Sequence, residues 1–61
     1  MDTEVLILKA QELACTYYNI PRQQFVEIAA HLYPGSGIGK ACFIAAVRAY
    51  DEIQEDMKEI A

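Results

Sequence analysis

The chain predicts an all-α fold: a three-helix bundle with a long C-terminal helix, forming a single domain over residues 1–61. Three observations carry this. Apolar residues recur with a 3.6 period in three segments. Two short breaks built from Asn, Pro, Gly and Ser separate those segments. No segment alternates like a half-buried strand, although Val5-Leu6-Ile7-Leu8 alone would fit either periodicity. The spacing places helices at about 3–18, 21–33 and 38–60.

In the first helix Leu6, Ala10, Leu13 and Tyr17 form a stripe that Ile7, Ala14 and Tyr18 widen. Asp2 or Thr3 is suited to cap its free N–H groups, and Glu4 favours the positive end of the helix dipole. Asn19 is suited to a left-handed stop, with Pro21 shortly after it. Pro21 also fits the first position of the second helix, where a missing N–H costs nothing. That helix carries Phe25, Ile28, Ala29 and Leu32 at i, i+3, i+4 and i+7, and Pro34-Gly35 stops it. Ser36 is a candidate cap for the third helix. There Phe43, Ala46, Tyr50, Ile53, Met57 and Ile60 are spaced 3, 4, 3, 4 and 3, an a/d seam. Ala41, Ala45 and Ala49 form a strip of small residues that would let a neighbouring backbone approach closely.

Composition narrows the function classes. An apolar fraction of 54% argues against a disordered chain. The net charge of −4 is unevenly placed. Residues 1–50 hold four acids and four bases, whereas residues 51–61 hold Asp51, Glu52, Glu55, Asp56 and Glu59 against Lys58. No basic stretch exists to grip a phosphate backbone. Cys15 and Cys42, the only two cysteines, are too few for a disulfide framework and are expected as free buried thiols. The acidic start lacks the basic region of a signal peptide, and no apolar run approaches the roughly 20 residues of a membrane span. A soluble cytoplasmic protein is expected, of a cell or of a host cell.

Length arithmetic leads further. At 1.5 Å per residue the three helices would span about 24, 18 and 33 Å, so the third outruns the others. Its C-terminal end is expected to project, carrying Ile53, Met57 and Ile60. Helices apolar nearly all round, as at Val5–Leu8 and Ala41–Val47, are covered on every side. Self-association as a twofold dimer would supply that cover, with Val5, Leu8, Tyr50, Ile53 and Met57 at the interface. The competing reading folds Ile53, Met57 and Ile60 back onto the first helix of a monomer.

Chemical motifs are sparse. Gly35-Ser36-Gly37-Ile38-Gly39-Lys40-Ala41 falls short of a phosphate loop, because three residues separate Gly35 from Gly39 and Ala41 has no hydroxyl to hold magnesium. It reads as a tight connection whose anion-binding capacity is open. The single His31 sits in a last helical turn, where it suits the dipole. One His and two scattered Cys lack zinc spacing, and nothing assembles a nucleophile with a base. No catalytic residue, metal or cofactor is therefore expected, and the chain reads as a non-enzyme. Tyr17 and Tyr50 fall on inward stripes, whereas Tyr18 and Tyr33 at helix ends suit a recognition surface.

Residues 22–50 also have the outline of a helix-turn-helix. Ala14-Cys15-Thr16-Tyr17-Tyr18-Asn19-Ile20 and Glu27-Ile28-Ala29 resemble the DNA-binding domain of the bacterial replication initiator. The helix-turn-helix outline would make the chain a DNA-binding transcriptional regulator, with a dimer presenting Arg22, Lys40 and Arg48 on one face to the phosphates. The family's basic loop and Asp-His-Thr-Thr signature are replaced here by Gly37-Ile38-Gly39-Lys40-Ala41-Cys42-Phe43, which offers bases little to read. The leading expectation is a small acidic module that binds a partner protein. Proteins of this size, including those of phages and mobile elements, commonly act as regulators, adaptors or stoichiometric inhibitors. The expected contact residues are Tyr33, Asp51, Glu52, Ile53, Glu55, Asp56, Met57 and Ile60.

Overall fold

A computed structural model describes residues 2–60, and for residue 60 the backbone alone. Three helices follow one another: α1 (Thr3–Thr16), α2 (Arg22–Leu32) and α3 (Ile38–Ile60). The all-α bundle with a long last helix is as the periodicity predicts. No helix among the described residues is long and apolar enough to cross a membrane.

The helix ends differ in detail from expectation. Asp2 caps α1, its carboxylate accepting the Glu4 N–H at 3.1 Å. The helix stops two residues early, and Asn19 is not left-handed, since no non-glycine residue among those described has positive φ. Two side chains from α3 hold the connection between α1 and α2 instead. The Tyr50 hydroxyl donates to the Ile20 carbonyl, and the Gln54 amide donates to the Tyr18 carbonyl. Pro21 lies just outside α2 as its N-cap, its carbonyl accepting the first helical N–H, from Phe25.

These contacts set the direction of the helices. The end of α1 lies beside Gln54, so α1 runs parallel to α3 along its middle. The start of α2 lies beside residues 50 and 51, where Phe25 stacks on Tyr50 with ring centroids 4.6 Å apart. Arg22 meets Asp51 there in a two-pronged ion pair at 2.9 and 3.2 Å. At its other end α2 lies against Gly39, so it descends α3 as the antiparallel arm of a hairpin.

The connection from α2 to α3 explains the only motif-like stretch of the chain. Gly35 and Gly37 take left-handed φ values of 89° and 68°. A Cβ on Gly39 would stand 2.5 Å from the Pro34 carbonyl oxygen. The glycines therefore build a tight corner.

The core is thin. Among the described residues the buried ones are Ala10, Ala14, Phe25, Ala29, Cys42, Ala46 and Tyr50, and Phe25 is the one large side chain of these with no exposure. Alanines let α1 approach α3 closely, whereas Phe25 and Tyr50 hold α2 further out. Leu6, Leu13, Ile20, Phe43, Val47 and Ile53 pack around this centre. Tyr17, expected inward, is 40% exposed, and so is Leu32 at 53%. Cys15, expected as a buried thiol, is exposed, while Cys42 is buried as expected. The reasons differ. Ala10 and Ala14 face α3, which turns Cys15 about a quarter-turn away from it, whereas Tyr17 lies past the end of α1 as its C-cap, where the backbone has left the helical path.

Candidate interaction surface

The seam of α3 changes character along its length. Ala46 and Tyr50 are enclosed, Ile53 is partly covered by the core, and Met57 is 43% exposed. Met57 occupies the same face as Tyr50 and Ile53, spaced 7 and 4 residues from them. It is exposed because Gln54 is the last α3 side chain bonded to the α1–α2 connection, and the helix then runs past its neighbours. The Ile60 side chain lies outside the described residues.

Carboxylates edge this end. Glu52, Glu55, Asp56 and Glu59 are exposed, with Lys58 among them. Asp51 is the exception to the expected acidic rim, because Arg22 already occupies it. The Arg22 guanidinium, through its hydrogen bonds and its charge, holds the Asp51 carboxyl below the usual carboxylate range. Asp51 therefore serves the fold before it serves any partner.

Other expected site residues are dispersed. Tyr33 is half-buried at the α2 C-terminus, some way along the bundle from Met57. Tyr50 is only 4% exposed, so it is part of the monomer core and not of an interface. Val5 and Leu8 are exposed at 44% and 58%. Of the three cations proposed to contact DNA, Arg22 is paired with Asp51, whereas Lys40 and Arg48 are exposed on the outward side of α3. His31 lines a shallow groove between α1 and α2 with Leu13, Tyr17 and Leu32, and Cys15 opens onto the α1–α3 groove.

No family model, characterised protein or solved structure matches the chain. The surface must therefore be read from its own chemistry.

A feature outside the a/d seam also stands out. Ile44 is 47% exposed and belongs to the outward row Lys40, Ile44, Arg48, Glu52 and Asp56, each four residues from the next. A shallow groove runs along either side of this row. One is floored by Phe43 and Val47, and the other lies between α3 and Ile7, Gln11 and Cys15 of α1. A seam-based reading of α3 passes over Ile44 because it lies opposite the apolar stripe. The i+4 spacing of the row itself was the available signal.

Proposed function

We propose that this protein is a small non-enzymatic interaction module, a regulator, adaptor or stoichiometric inhibitor, that binds a partner protein through the projecting end of α3. One observation carries the reading: Met57 continues the core seam past Tyr50 and Ile53 yet is left 43% exposed among carboxylates. An apolar anchor edged by uncompensated acids suits an apolar pocket with a basic rim. Ile53 contributes the base of the anchor, and Glu52, Glu55 and Asp56 contribute the rim.

The test compares wild type with Met57→Asp as bait, using host extract and quantitative mass spectrometry. A protein held by wild type and lost with Met57→Asp supports the reading, provided thermal melts of the two coincide to within about 0.5 kcal/mol. Melting of the variant at much lower temperature would make Met57 a core residue and overturn it. A partner retained equally by both baits would also overturn it.

The DNA-binding alternative ranks lower. The pairing of Arg22 with Asp51 leaves Lys40 and Arg48 to meet phosphates on a chain of net charge −4. Tight, salt-dependent shifts of random duplex would reverse the ranking.

A further inference from the structure

We propose that the outward face of α3 is covered by a second copy of this chain, its α3 antiparallel to the first across a twofold axis. This does not rest on the Met57 reading, because Ile44 and Arg48 at the centre of the row lie on the opposite side of the helix from Met57, although Glu52 and Asp56 border both faces. Three observations point to the second copy.

The monomer is short of core and long on surface. Phe25, Tyr50 and Cys42 are its only buried residues larger than alanine among those described, while eight large apolar residues are well exposed. Its accessible surface is 4470 Å² at 6.9 kDa, where a compact monomer of that mass exposes about 4,000 Å². A covered face would correct that imbalance.

The shape is self-complementary. Ile44, Arg48 and Glu52 border both grooves, so they form a ridge with a groove on each side. Helices pack when the i±4 ridge of one enters a groove of the other. A twofold axis lets each α3 offer its ridge to the groove of its mate, with Leu8 and Ile7 of α1 at the margin.

The charge is self-complementary in one direction only. Along the ridge the order is Lys40, Ile44, Arg48, Glu52, Asp56, basic towards the N-terminus and acidic towards the C-terminus. Parallel copies would set like against like. Antiparallel copies with the axis crossing the outward face level with Ala46, midway between Ile44 and Arg48, set Lys40 against Glu52 of the second copy, twice by symmetry. Ile44 then packs on the aliphatic stem of Arg48 of the second copy, and the two helix dipoles oppose.

A charge swap tests this directly. Lys40→Glu suits the dipole at the start of α3 and Glu52→Lys falls on its exposed middle, so neither should unfold the chain. Sedimentation equilibrium at micromolar to millimolar concentration should show wild type as a dimer. Each variant alone should dissociate about tenfold more readily. An equimolar mixture should recover wild-type dimerisation, because both symmetric pairs are restored in the heterodimer. Met57→Asp should leave dimerisation unchanged, which separates this face from the projecting end. A 6.9 kDa species throughout the concentration range would overturn the proposal. So would a mixture no more associated than its two components, which would exclude the antiparallel pairing.

Discussion

Tyr50→Phe isolates the contact that ties the α1–α2 connection to α3. The substitution removes one hydroxyl and preserves the ring, so the stack on Phe25 at 4.6 Å and 22° should persist. What is lost is the hydrogen bond to the Ile20 carbonyl, a part-buried acceptor 30 residues away in sequence. A net hydrogen bond contributes about 1 kcal/mol, and an acceptor left unpaired raises the loss towards 2. Against a total of roughly 3–9 kcal/mol for a chain of this length, that is a sizeable share. With an unfolding entropy of roughly 2.1 cal/mol/K per residue, the loss lowers the melting temperature by about 8 °C per kcal/mol. Far-UV circular dichroism melts at matched protein concentration measure it, since self-association would otherwise shift the midpoint. Combining Tyr50→Phe with Gln54→Met should give a non-additive loss, because both side chains pin the same turn. An unchanged melting temperature would refute the argument, showing that the connection does not depend on α3. A loss as large as that of a core truncation would equally refute it, since the ring would then have moved.

Other perturbations test the remaining structure. Phe25→Ala should cost about 3–5 kcal/mol, the larger part of a mid-range total of about 6, with a strongly lowered urea midpoint as the readout. Gly39→Ala gains up to about 1 kcal/mol of helix propensity but drives a methyl against the Pro34 carbonyl, so a net loss in urea midpoint is expected. Asp51 is held below the ordinary carboxylate range by Arg22, so its stabilising contribution is present above that range and is lost as pH falls through its lowered pKa. Asp51→Asn should remove that part of the acid dependence, and high salt should weaken it, both measured by urea titration across acidic pH.

Much of this molecule was legible locally. Helix periodicity, the Asp2 cap and the breaks at Asn19–Pro21 and Pro34–Gly37 depend on neighbours within a few residues, so the helix order and approximate bounds followed from them. The excess length of α3 was also arithmetic, and the exposure of Met57 agrees with it. The rotation of each helix about its own axis was not legible. In α1 apolar residues surround the helix, and the side turned to α3 was chosen by Ala10 and Ala14, whose small size permits the closest approach. That choice put Cys15 outside, and the end of α1 at Thr16 released Tyr17 from the inward stripe. Similarly, Asp51 looked like one more member of an acidic face until the bundle brought Arg22 to it from 29 positions away.

The sequence by itself determined that the chain is helical, roughly where its three helices lie, and that its surplus charge gathers at one end of α3. The tertiary structure alone decided which of those charges are already paired, which apolar residues are core, and where a ridge with flanking grooves lies open. Local pattern is set by backbone geometry within one turn or two. Pairing and burial are set by contacts between residues far apart in the chain, which no local pattern encodes.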